Sequence, residues 1–145
     1  MSAPAGSAAS LPLAGVRVLE FSHTIMGPSA GMMLGDLGAD VIKIESAPEG
    51  DNTRRLRGFA SGFFHAFNRN KRSLAIDLKS ESGRKTFERL VKTADVVMTN
   101  TRAEAQRRLG LDYKALARVK PDLIYCSCYG FGERGRYRGR PDRKS

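Results

Sequence analysis

Val16, Val18, Leu19 and Phe21 form a near-continuous apolar run, the pattern of a parallel strand covered on both faces. Gly27 and Pro28 interrupt it. Pro28 suits a first helical position, and Ala30, Met33, Leu34 and Leu37 then repeat at i, i+3, i+4 and i+7, one face of a helix. Gly38 is placed to end that helix, and Val41, Ile42 and Ile44 supply a second buried strand. Residues 11–45 therefore read as a βαβ unit of an α/β layered domain.

The pattern continues in kind. SAPEGDNTRRLRG (46–58) reads as a polar surface loop, and the apolar piece from Phe59 to Phe67 as helical at its end. Leu74, Ile76 and Leu78 alternate with small or polar residues, as in a strand with one covered face. A helix is expected from Glu81 to Thr93, with Phe87, Leu90, Val91 and Ala94 on one face, followed by a short strand from Asp95 to Asn100. Thr101 and Glu104 have capping-box spacing before a helix from Arg102 to Leu109, which Gly110 stops. Asp112 caps a helix from Tyr113 to Val119, and Leu123 to Cys128 is the last strand. Alternating strands and helices predict an α/β fold, a Rossmann-like open, mostly parallel sheet flanked by helices over 11–130. An Arg/Gly-rich irregular tail follows over 131–145. In such sheets ligands bind beyond the carboxyl ends of the strands. That rule selects His23 to Met26, Ser46, Asn100 to Arg102 and Tyr129 to Phe131.

Composition narrows the reading. With 145 residues and 41% hydrophobic content, one domain with a real core is expected. Residues 1–10 are small and polar, without the basic and apolar regions of a signal or transit peptide, and read as a disordered tail. No apolar run approaches a membrane span, so a soluble, cytoplasmic protein is expected. Twenty-five Lys and Arg against 15 Asp and Glu give a formal charge of +10, which suits a polyanionic partner or a solvated surface. The turn FSHTIMGPSAG (21–31) has neither a dinucleotide-binding glycine pattern nor a P-loop.

Candidate chemistry is sparse. His23 follows the first strand where a general base could stand, but no nucleophile motif lies in register with it, and His65 sits among aromatics. Cys126 and Cys128 lie two apart in a strand and point to one face. They read as reduced, packed core thiols, with no metal site. Basic residues fall into sets: Arg54, Arg55 and Arg57; Arg69, Lys71 and Arg72; Lys79; and Arg102, Arg107 and Arg108. Lys79, Arg102 and Arg108 sit on elements that can converge on phosphates.

Several blocks in fixed order carry a resemblance: GVRVLE (15–20), GP (27–28), LGADVIKIE (37–45), NRNKRS (68–73), DLK (77–79), ADVV (94–97), Asn100, RLG (108–110) and LIYCS (123–127). Together they resemble the N-terminal portion of the class III CoA-transferase family, the CaiB/BaiF group of CoA transferases and α-methylacyl-CoA racemases. The resemblance implies a CoA-binding Rossmann-like half of a larger fold in which two chains interlock as a homodimer. It implies CoA or acyl-CoA and a carboxylic acid acceptor as substrates, without metal. Carried over by position, CoA contacts fall on Ile25, Met26, Ser46, Ile76, Asp77, Leu78, Lys79, Asn100, Thr101, Arg102 and Arg108. Ser46 stands where a basic residue often meets a phosphate, and Thr101 replaces a frequent aromatic. The family's nucleophilic aspartate has no counterpart here, because Asp142 lies in the basic tail. The chain is therefore expected to be a truncated portion, inactive alone. Racemisation within the same family is the nearest alternative. An inactive fragment and a basic nucleic-acid-binding module are the others, and the last lacks a stacking platform or recognition helix.

Overall fold

The computed structural model of the chain describes residues 11–131 and 134–137, so the expected 1–10 tail and most of the 131–145 tail lie outside the described residues. Five strands form one parallel sheet in the order β3-β2-β1-β4-β5. In chain order, β1 (Arg17–Phe21), α1 (Met26–Asp36) and β2 (Asp40–Ser46) give the expected βαβ unit. Two short 3₁₀ turns, Asn52–Arg55 and Gly58–Gly62, lead into α2 (Phe63–Phe67) and β3 (Lys71–Ile76). Then follow α3 (Glu81–Val91), β4 (Val96–Thr99), α4 (Ala103–Leu109), α5 (Tyr113–Val119) and β5 (Ile124–Ser127). The chain starts at the middle of the sheet, builds outward to β3, then crosses β1 to lay down β4 and β5. The switch point lies between β1 and β4, and there the loops after adjacent strands diverge and leave a crevice.

Successive residues of each strand point to opposite faces. Leu19, Phe21, Ile42, Ile44, Ile76 and Val97 share one face with Phe87 and Val91 of α3, Leu116 of α5, and Leu111. Phe21 and Phe87 meet edge to face with centroids 5.0 Å apart, a geometry that contributes about 0.5–1.5 kcal/mol beyond area burial. Val18, Val41 and Met98 line the other face beneath α1 and Leu13.

Local differences from the sequence reading have local causes. Helix α1 starts at Met26 rather than Pro28: Ser29 N already donates to Ile25 O at 2.8 Å, and a proline within the first turn lacks only an N–H that has no intrahelical partner there. Its buried side is not the predicted Met33 and Leu37, which are exposed, but Gly27, Pro28 and Gly31, with Ala30 and Leu34 partly buried. A Cβ at Gly31 would stand 2.0 Å from Glu20 Oε2, so only glycine lets α1 lie this close to the sheet. Helix α3 stops at Val91, two residues short of expectation, where the Thr93 hydroxyl donates to Leu90 O at 2.8 Å. The capping box at Thr101 does not form. Arg102 is the N-cap without a side-chain bond, because Thr101 Oγ1 lies 2.9 Å from Thr99 Oγ1 instead. Gly110 does end α4 with φ of 69°, and Asp112 Oδ1 caps α5 by accepting from Ala115 N at 3.3 Å.

Candidate functional site

At the carboxyl ends of β1, β2 and β3 lies a cleft of about 610 Å³. Its floor is apolar: Phe21 and Ile76 end β1 and β3 there, Ile44 lies near the end of β2, and Leu111 closes the side. One wall is the loop after β2, with Glu49, Asp51, Asn52 and Arg55; the other combines residues 77–79 with Thr101 and Leu109. An apolar floor with a few polar groups at the mouth, in this size range, is the usual make-up of a small-molecule site.

The turn after β3 is built by its own side chains. Asp77 Oδ1 accepts from Lys79 N at 2.9 Å, which ends the strand before Leu78 and turns Lys79 out at the mouth. Ser80 then caps α3 by accepting from Gly83 N at 3.0 Å. At the switch point Asn100 pins the turn after β1 through a pair of bonds: His23 N donates to its Oδ1 at 3.1 Å, and its Nδ2 donates to His23 O at 2.8 Å. Thr24, the next residue, holds a φ of 71°, an uncommon conformation for a β-branched side chain.

Of the sequence-predicted residues, Ser46, Ile76, Asp77, Leu78, Lys79 and Thr101 line this single cleft. Ile25 and Met26 stand exposed at the start of α1, outside its lining, and Asn100 serves the β1 turn. Arg102 and Arg108 are exposed at the two ends of α4, the second of them next to the cleft residue Leu109. His23 lines the cleft and His65 is exposed. The thiols depart from expectation: Cys126 is exposed on the edge strand β5 and Cys128 half-buried just beyond it, 3.9 Å apart and unbridged. Burial and the neighbouring Cys126 push the Cys128 thiol up to about 11. Among the described residues, no three His, Cys, Asp or Glu side chains are grouped to hold a metal.

Sequence reasoning missed a buried charge network on the face under α1. Glu20 and Lys43, register partners on β1 and β2, lie 3.4 Å apart and are wholly buried. Lys71 Nζ reaches Glu20 Oε2 at 2.7 Å, and Lys43 Nζ reaches Asp51 Oδ2 at 2.9 Å and donates to Ser22 O at 2.6 Å. Four opposed charges thus cancel in pairs inside the protein. Beside them Glu45 accepts from Arg54 Nε and Nη2, from Ser73 Oγ and from Asp51 N, at 2.7–2.8 Å. Burial alone raises a carboxyl, but these four bonds outweigh it and hold Glu45 at about 2. Asp51 is likewise lowered, burial being overcome by Lys43 and by the Thr53 amide and hydroxyl. For Lys71 burial wins, drawing its ammonium below the usual lysine range despite Glu20. The loop over 46–58 is consequently no plain surface loop: Asp51 and Thr53 are buried within it. The available signal was the charged residues alternating inside strands, Glu20, Lys43 and Glu45, with Asp51 and Thr53 spaced for an Asx-type cap.

No helix among the described residues is long and apolar enough to cross a membrane. Comparison with known proteins then gives the framework a family. The model of CoA-transferase family III matches residues 13–143. A succinate–glutarate CoA-transferase of Agrobacterium fabrum is 44% identical over 136 residues, covering 87% of this chain and 34% of that protein. Human succinyl-CoA:glutarate CoA-transferase is 38% identical over 128 residues, covering 86% of this chain and 29% of that protein. A crystal structure of a CaiB/BaiF family protein from Brucella suis superimposes with a TM-score of 0.83 at 44% identity, covering 91% of this chain and 37% of that one. The chain spans about a third of the length of the curated relatives it matches. Its sheet order, its strand-end cleft and the match over nearly all its residues agree: the chain belongs to CoA-transferase family III.

Proposed function

We propose that this chain supplies the CoA-binding portion of an acyl-CoA:carboxylate CoA transferase, a cytoplasmic homodimer that takes a CoA thioester and a carboxylic acid acceptor. The observation that carries this reading is the cleft at the carboxyl ends of β1 to β3, which gathers Ser46, Ile76–Lys79 and Thr101 in one place. Its apolar floor suits a pantetheine or adenine, and Lys79 at the mouth suits a phosphate. Arg108 and Arg102 extend the cationic side along α4, while Ile25 and Met26 offer an apolar ledge and Asn100 holds the turn between them. The named relatives are transferases acting between acids, which favours transfer over racemisation. Asp77, Asp51 and Glu45 at the cleft are held in other roles, Asp77 in its turn, Asp51 with Lys43 and Glu45 with Arg54, and none of them is assigned the nucleophilic role.

Calorimetric titration with CoA tests the reading. Lys79→Ala and Arg108→Ala should each weaken binding by about 1.5–3 kcal/mol, the range for a hydrogen bond to a charged group. Binding of CoA by both variants with the parent's affinity would remove these residues from the site.

A further inference from the structure

The loop that walls the cleft is fastened from beneath by charges that never reach solvent. Lys43, 1% exposed, meets Asp51 Oδ2 at 2.9 Å, and Asp51 Oδ1 accepts from Thr53 N and Thr53 Oγ1, both at 2.8 Å. Glu45 Oε2 accepts from the Asp51 amide at 2.7 Å, and a Cβ at Gly50, whose φ is 74°, would stand 2.8 Å from that oxygen. The loop therefore has one seat on the strand below it. On its other side Glu49, Asn52 and Arg55 line the cleft. Arg55 Nη1 donates to the Glu49 carbonyl oxygen, which orients the guanidinium and leaves other N–H groups of its fork for a ligand.

A buried ion pair is a weak source of net stability, since desolvation consumes most of the attraction, but it penalises every arrangement that separates the partners. We propose that the Lys43–Asp51 pair is a positioning latch that fixes residues 47–57 as the wall of the cleft, and that Arg55, carried on that wall, is a phosphate-binding residue of the site. The second half rests on the CoA-binding reading given above. Arg55 faces the mouth from the β2 side and Lys79 from the β3 side, so a phosphate entering between them meets donors from two separate elements.

Trypsin digestion of the intact, folded chain reads the latch, because Arg54, Arg55 and Arg57 are cleavage sites in the loop itself. Asp51→Asn retains an acceptor for Thr53 and removes only the charge opposite Lys43. Cleavage within the loop should become several-fold faster, with cleavage after Lys92 unchanged. Lys43→Met breaks the pair from the other side, and also removes the contacts of Lys43 with Glu20 and Ser22 O, so it should free the loop at least as much. In Lys43→Met/Asp51→Asn the loop should remain fast; a return to the parent's rate would mean that an uncompensated buried charge, and not loss of the latch, loosened the single variants. For the ligand, Arg55→Ala should weaken CoA binding roughly tenfold, Arg55→Lys should retain most of the affinity, and Asp51→Asn should weaken CoA binding without touching Arg55. Equal loop cleavage in parent and Asp51→Asn overturns the latch, and equal CoA affinity in parent and Arg55→Ala overturns the role of Arg55. A parent that does not bind CoA at all defeats the CoA-binding reading and the role of Arg55, while digestion decides the latch on its own.

Discussion

The two faces of this sheet are made by the same strands and hold together in opposite ways. On one face Leu19, Phe21, Ile42, Ile44 and Val97 meet Phe87 and Val91, and the contact is dispersion and water exclusion. On the other, Glu20, Lys43, Glu45 and Lys71 replace apolar residues, and the contact there is charge paired with charge. The apolar face is non-directional and tolerates small shifts of α3. The ionic face is directional: Gly27 and Gly31 bring α1 within reach of Ser22 and Glu20, and the loop over the cleft has one seat. A binding site needs such specification, and Glu45 and Asp51 of the charged network reach the cleft itself.

Truncation should separate the two kinds of face. Phe87→Ala removes a ring that is 4% exposed and set edge to face against Phe21, and should lower unfolding free energy by about 3–5 kcal/mol. Adding Phe21→Ala should deepen the loss. Urea denaturation followed by circular dichroism measures both. Glu20→Gln keeps shape but leaves Lys71 and Lys43 without their shared counter-charge; a cost of about 3 kcal/mol is expected, the lower part of the range for breaking a buried pair. Here a second change should help: Glu20→Gln/Lys71→Met should be more stable than Glu20→Gln alone. If the double variant is instead less stable, by the sum of the two single losses, the charged face behaves as ordinary packing and the contrast fails.

How much of this was legible in the sequence follows the same division. Strands β1 to β5 and helices α3 and α5 were readable because their apolar positions, Asp112 and Gly110 are local signals with local causes. The face of α1 was misread because hydrophobic periodicity picks out Met33 and Leu37, whereas close approach to a buried carboxylate demands glycine. Nothing in a window around Glu20 says that Lys71, 51 positions later, will neutralise it, so a charged residue inside an apolar run looked incidental. Part of the cleft was visible through the strand-end rule, which selected Ser46 and Thr101. Arg55 was seen only as one of a basic set, because the buried half of its loop depends on Lys43 and Glu45.

Acid should expose the charged face selectively, with a smaller effect than either truncation. Glu45 titrates at about 2 in the folded chain, against 4.5 when free of these contacts, and Asp51 and Asp40 are lowered as well. A carboxyl whose folded value is depressed binds protons more readily when unfolded, so its stabilisation is complete above the unfolded value and disappears as pH falls through the folded one. The urea midpoint should therefore be level from pH 7 to about 5 and decline from about 4.5 towards 2. Because the Arg54 partner is 39% exposed, added salt should shrink part of that decline. Glu45→Gln should start from a lower midpoint and fall less steeply in this window, whereas Phe87→Ala should displace the whole curve downward and keep its slope. A parent and a Glu45→Gln variant with parallel curves below pH 4.5 would show that Glu45 is not depressed, and that the charged face is no more acid-sensitive than the apolar one.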